Sequence, residues 1–461
     1  MNSCLQITGK SLRPHQREPA VFLRNPRNRG LILFHSTGSG KTLAAIAAVK
    51  CFLQDNPTQK AFITAPTSVK SQFEKECTEA GLDMERVFVY PHVTLVNRIK
   101  ERKVDLTGSM VVIDEAHALV ANLPYKPQQM QVAKEPRSVT VFKACKTASK
   151  ILLMTATPAT NVARQLYSYL SVIQGNIRVP KTNVNQIHND VKCYVSFYTT
   201  PANDRDFPSK RVHVKRFTMD REFLLDYNGI ETAVEDKLIS KGINPDKNPN
   251  AFLHEIRKAS NKLPGHRNPK VEWLVKKIQQ TPSRKRVIYS SFRSSGTHYV
   301  QSFLTLHGIP FIEITGDTSK KRRLEAKTKF NEGSSPILFI TSAGSEGLDL
   351  KGCREVFVLE PHWSHARHKQ VIGRAVRYRS HIDLPPAQRM VDVYYLVLSK
   401  PDNLNLNNNN YSNLQVVGTD NLAHFLSADD RIMILAYQKG TKINSLYDLL
   451  KSEDFSSTRC R

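Results

Sequence analysis

Short, largely apolar runs recur along this chain, and most lead into stretches with helical periodicity. Leu31–Phe34, Ala61–Thr64, Met110–Ile113 and Ile151–Met154 form one series. Arg286–Ser290, Phe311–Ile314, Ile337–Ile340, Val356–Leu359 and Val391–Leu398 form a second. Runs of this length suit strands covered on both faces, the condition of a parallel sheet flanked by helices. Helical stretches at Thr42–Phe52, Val69–Ala80 and Val271–Gln279 supply the crossovers. The pattern predicts an α/β chain in which one parallel-sheet lobe occurs twice.

Between the two series the composition turns to Asn, Pro and Lys. Residues 1–178 are therefore read as the first domain. Residues 179–268 are read as a linker with a small helical insertion (Arg221–Lys241 and Phe252–Asn261). Residues 269–440 form the second domain and 441–461 a tail. The Asn-rich segment Asp402–Asn413 reads as an exposed loop.

The first strand runs into His35-Ser36-Thr37-Gly38-Ser39-Gly40-Lys41-Thr42, and a helix follows. A glycine-rich turn between strand and helix directs backbone N–H groups and the positive end of the helix at a phosphate. This is a P-loop with ATP as its expected ligand. Lys41 reaches the β- and γ-phosphates, and Thr42 is a ligand for Mg²⁺. His35 departs from the Gly or Ala usual at the first position. Asp114-Glu115-Ala116-His117 ends the strand Met110–Ile113, and the carboxyl ends of parallel strands face the ligand crevice. Asp114 is placed to hold Mg²⁺ and Glu115 to orient or deprotonate the attacking water. Thr155-Ala156-Thr157-Pro158 ends the next strand, as a reporter of nucleotide state or as an ordinary helix-entry turn.

Lys and Arg number 67 against 41 Asp and Glu, a formal charge of +26. Such a field favours polyanions, which raises the expectation of DNA or RNA as partner without choosing it. No apolar run approaches the roughly 18 residues of a membrane span. The polar, basic start (Met1 to Arg17) lacks a signal-peptide core, so a soluble intracellular protein is expected. The seven scattered cysteines show no Cys-x-x-Cys pair and read as reduced structural thiols.

Seven strings in order, HSTGSGKT, AFITAPTSVKSQF, DEAH, TATPA, VIYSSF, FITSAGSEGLDLKG and QVIGRAVRYRSH, resemble the motifs of superfamily 2 helicases. LRPHQ, ITGDTSKKRR, LEPHWSHARHKQVIGRAVRYRSH and SADDRIMILAYQKG are similar to a group from large DNA viruses. That group includes the poxvirus early transcription factor small subunit and nucleoside triphosphatase I. The resemblance implies two tandem RecA-like domains and an ATP hydrolase that moves on DNA or RNA, in viral transcription or genome processing. A scaffold subunit of the viral transcription machinery that binds ATP with little motor activity is the alternative.

The resemblance further implies site roles. Gln16 contacts adenine, beside the phosphate cradle of residues 35–42. Gln370, Arg374 and Arg377, on one face of a helix, serve the γ-phosphate and its transition state. Thr64, Pro66, Gln72, Ser290, Ser291, Thr341 and Gly344 contact nucleic acid, although small hydroxyl residues at strand ends are also routine turn formers. Glu346 and Asp349 read the nucleotide or stabilise their loop, and Trp363 is core packing.

Overall fold

A computed structural model describes residues 3–7, 9, 11–125, 135–156, 162–181, 183–201, 204–244, 249–341, 348–362, 365–401 and 426–452. The chain divides into two units, Met1–Pro201 with Lys442–Arg461, and Ala202–Thr441.

The first unit is built on β1 (Gly30–His35), β2 (Ala61–Ala65), β3 (Val87–Pro91), β4 (Met110–Ile113), β5 (Lys150–Thr155) and β6 (Val195–Tyr198). They lie in the order β3-β2-β4-β5-β1-β6 and every pairing is parallel. The apolar runs work because successive side chains feed opposite faces. Ile32, Phe34, Val111, Ile113, Ile151 and Leu153 enter one core. Leu31, Leu33, Ile63, Val112, Leu152 and Met154 enter the other. The helix Lys41–Asp55, rich in alanine, buries nine residues against the second of these faces.

The second unit repeats the plan with β7 (Ser209–Thr218), β8 (Arg286–Tyr289), β9 (Ile312–Ile314), β10 (Ile337–Ile340), β11 (Glu355–Val358) and β12 (Met390–Ser399), ordered β7-β12-β11-β8-β10-β9 and again parallel. The α/β class and the doubled parallel sheet are therefore as the sequence led one to expect.

Three features differ from expectation. The segment 179–268 supplies β6 to the first sheet and β7 to the second. Its helices Arg221–Ile239 and Pro249–Asn261 close a core of their own with Leu398, Ala428 and Ile432. Residues from 441 continue the helix Ala428–Ser452 rather than opening a tail. Cys4 and Cys51 form a disulfide that ties the amino-terminal turn to the helix after the P-loop. Cys77, Cys145 and Cys353 are buried free thiols. The loop Asp402–Asn413 lies outside the described residues.

Candidate functional site

The carboxyl edge of the first sheet can be read strand by strand. Next to the edge strand β6, the P-loop leaves β1 and turns at Gly38 (φ 76°) and Gly40 (φ 84°), both in the left-handed region that glycine enters freely. A Cβ on Gly40 would fall 2.2 Å from Gln16 Nε2. Gln16 holds the loop from above: its amide donates to the Ser39 carbonyl (2.9 Å) while its oxygen accepts from Arg13 N–H (3.0 Å). His15 Nε2 lies 2.9 Å from the same Ser39 carbonyl. Lys41 Nζ donates to the carbonyls of His35 (2.9 Å) and Ser36 (3.1 Å), so the loop is wrapped around its own ammonium group.

His35 is fully buried, and its Nε2 lies 2.8 Å from Ser196 Oγ on β6. The ring meets those of His15 and Tyr198 edge-on, and His15 stacks on Tyr198 at 3.5 Å. Ser36 N–H donates to the Tyr198 carbonyl, and Ser36 Oγ accepts from Thr200 N–H at 3.1 Å. The unusual first residue of the loop thus anchors it to β6, a strand the sequence reading passed over.

On the other side of β5 stands β4. Asp114 N–H donates to the Thr64 carbonyl (2.8 Å). Its carboxyl is pushed up to about 7, first by desolvation and then by Glu115, with Lys41 opposing. Glu115 adopts a left-handed backbone (φ 48°, ψ 49°), which costs a non-glycine residue about 1–2 kcal/mol. His117 Nδ1 lies 3.3 Å from Glu115 Oε2 and 3.2 Å from Thr155 Oγ1 at the end of β5. The strand-end hydroxyl therefore meets the histidine of the acidic motif. Thr157 and Pro158 lie outside the described residues.

Beyond β4, Thr64 on β2 is fully buried and its hydroxyl is 3.0 Å from His92 Nδ1. Burial takes that hydroxyl out of reach of a phosphate in this conformation. Pro66 is half-buried and Gln72 exposed, the latter donating to Glu76 Oε1.

In the second unit Ser290 is likewise buried and donates to Glu360 Oε2 (2.8 Å), whose other oxygen accepts from Ser291 N–H. Asn261 also donates to Glu360 (2.7 Å). Thr341 is nearly buried. The helix His365–Ala375 carries Gln370 and Arg374 but ends before Arg377, so the expected shared helical face is not formed. Arg377 instead donates to the Leu348 carbonyl (3.4 Å), with Asp349 Oδ1 at 3.6 Å. Gly344, Glu346 and Trp363 lie outside the described residues. His92, Ser196, Tyr198, Thr200 and Glu360 were not singled out from the sequence, and nothing in their spacing marks them.

The buried ionisable groups set an expected acid response. His92 is held down to about 4, and His35 well below its ordinary 6.5, each by burial first. Below about 6.5 the unfolded chain protonates these rings while the native one does not, so each withdraws stability as pH falls. For His92 the loss ends near 4 and amounts to roughly 3 kcal/mol at most. Asp114 has the opposite sign, because its raised native value lets it take up a proton as pH falls through about 7, ahead of the unfolded carboxyl at 3.8. Asp114→Asn should therefore steepen the loss of stability between pH 7 and pH 5, read from urea midpoints without nucleotide or metal. An unchanged slope contradicts this assignment.

The model of the helicase conserved C-terminal domain matches residues 269–379. A protein of Acanthamoeba polyphaga mimivirus named as an ATP-dependent RNA helicase is 32% identical over 413 residues, covering 83% of this chain and 88% of its own. The termination factor NPH-I homolog of African swine fever virus is 21% identical, covering 80% of this chain and 69% of its own. Among solved structures, the Pyrococcus furiosus Hef helicase domain aligns with a TM-score of 0.46 at 17% identity, covering 83% of this chain and 95% of that one.

Proposed function

Because the chain belongs to the superfamily 2 helicases, alongside those of large DNA viruses, and is an ATP hydrolase that depends on nucleic acid, we propose that it is a translocating motor. Its work is the displacement of partners or strands on DNA or RNA during viral transcription or genome processing. The observation that carries this reading is the assembly of Lys41, Asp114 and Glu115 at one sheet edge, a P-loop lysine beside two adjacent carboxylates.

Mg²⁺ fits this donor set. The Thr42 hydroxyl and the Asp114 carboxylate are hard oxygen ligands, and Mg²⁺ favours one or two carboxylates completed by phosphate and water. A cation would offset the burial and, after it, the repulsion from Glu115 that raise Asp114. When bound it would neutralise phosphate charge. Lys41 would leave the loop carbonyls for the phosphates, and Glu115 would orient the attacking water. Arg374 and Arg377 are proposed as the guanidinium groups serving that step, Gln370 as its γ-phosphate contact, and Gln16 with residues 35–42 as the nucleotide cradle. Pro66, Gln72, Ser291, Thr341 and Gly344 remain the proposed nucleic-acid contacts; Thr64 and Ser290 would act through backbone position.

The test is ATP hydrolysis with and without single- and double-stranded DNA and RNA, each at two salt concentrations. The expected result is stimulation by at least one polymer, with an apparent affinity that falls steeply with salt because phosphates dominate the contacts. A turnover rate indifferent to every polynucleotide overturns the motor.

A further inference from the structure

One half-buried imidazole lies between the acidic motif and the strand that leads to the proposed nucleic-acid loop. His92 begins the helix His92–Lys100, directly after the edge strand β3. Its Nδ1 is 3.0 Å from Thr64 Oγ1, and its Nε2 is enclosed. The ring hydrogen-bonds the Asp114 backbone, and His117, Glu115 and Arg137 act on it electrostatically. Thr64 is therefore joined to the acidic motif twice, through its carbonyl to Asp114 N–H and through its hydroxyl to His92. Two residues beyond Thr64 the chain reaches Pro66 and the exposed Thr67, where the loop towards Gln72 begins.

The ring therefore bridges the hydroxyl at the end of β2 and the backbone of the acidic motif. A neutral imidazole accepting the Thr64 proton at Nδ1 carries its own N–H at Nε2, and Glu115, already in a strained backbone conformation, is the nearby carboxylate.

We propose that His92 is the positioning residue through which occupation of the loop after β2 is transmitted to Glu115. Polynucleotide drawn against residues 66–72 moves the end of β2. Thr64 carries that movement to the ring, and the ring sets Glu115 and His117 for water activation. This rests on the polynucleotide-stimulated hydrolysis proposed above.

The test uses the full chain with His92→Asn, His92→Gln and Thr64→Val, measuring turnover against polynucleotide concentration together with melting temperature. An asparagine amide oxygen can accept the Thr64 proton near the place of Nδ1, and a glutamine amide nitrogen can donate near that of Nε2, so each restores one end of the relay and leaves the other open. Both should lower stimulated turnover by about tenfold, with half-saturating polynucleotide unchanged within about twofold. Thr64→Val should do the same, and Thr64→Val/His92→Asn should be no worse than either alone, as for two links of one relay.

Full stimulation in either amide variant overturns the proposal, and so does a loss confined to polynucleotide affinity. Additive losses in the double variant overturn it as well. Should the histidine variants melt below the assay temperature, Thr64→Val, which keeps the shape of the side chain, decides alone. Absence of stimulation in the unaltered protein is a different failure, one that removes the motor reading and this inference with it.

Discussion

Lys41→Ala should lower the rate of ATP hydrolysis about 10²–10³-fold while leaving polynucleotide binding in place. Lys41 opens the helix that receives the phosphates, and its ammonium is held by two loop carbonyls. Exchanging those carbonyls for phosphate oxygens moves the charge a few ångströms along a path the loop already defines. An alanine cannot neutralise the charge that develops on the transferred group, and the neighbouring His15 and His35 are poor substitutes because burial lowers the pKa of both. Glu115→Gln should show a comparable loss from the other side of the reaction, with nucleotide still bound. Because the two groups are proposed to serve one transition state, Lys41→Ala/Glu115→Gln should be little worse than either single change. The measurement is turnover at saturating ATP, with binding followed by a fluorescent nucleotide. Residual activity above about a tenth of the original in Lys41→Ala contradicts the assigned role.

The parts of this molecule that were legible in advance are those where the physics is one-dimensional. Central strands of a parallel sheet are covered on both faces, so β1, β2, β4, β5, β8, β10 and β11 announce themselves as unbroken apolar runs. The strands that escaped notice, β3, β6 and β7, all lie at sheet edges. There one side is open and charges are tolerated, as Lys210, Arg211, Lys215 and Arg216 are on β7. An edge strand of that composition reads as a basic linker, and for this reason residues 179–268 looked like a connection. The placement of the glycine-rich turn after β1 and of the acidic motif after β4 was legible, because each directly follows an apolar run. The direction in which Thr64 and Ser290 point was not, since a strand-end hydroxyl turns outward to a ligand or inward to a buried partner with the same sequence. His92 and Glu360, the partners that decide it, come from distant segments. The Cys4–Cys51 bond spans 47 residues, a separation from which no pairing can be read.

The second large effect concerns stability rather than chemistry. Lys270→Met should destabilise the second unit by about 3–5 kcal/mol. Lys270 Nζ and Asp429 Oδ2 are 2.9 Å apart, with both side chains wholly buried. Lys270 stands in the first turn of the helix Pro269–Gln280, whose Asn268 cap accepts from Lys270 N–H and donates to the carbonyls of Ser260 and Asn261. Asp429 stands in the first turn of the helix Ala428–Ser452 and also accepts from Leu398 N–H at the end of β12. The pair therefore pins two helices and an interior strand at one point. Methionine matches the length of lysine but leaves Asp429 with an uncompensated charge away from water, which is the expensive half of breaking a buried pair.

Neutralising both partners separates charge from packing. Lys270→Met/Asp429→Asn should recover most of the loss, because the asparagine oxygen can still accept from Leu398 N–H. Lys270→Met/Asp429→Leu should recover less, since that N–H is then left without an acceptor, a deficit of about 1–3 kcal/mol. Urea unfolding of the three variants gives the ordering directly, with Lys270→Met the least stable. If Lys270→Met/Asp429→Leu proved the most stable of the three, the backbone bond at Leu398 would carry no weight, and packing alone would hold these elements together.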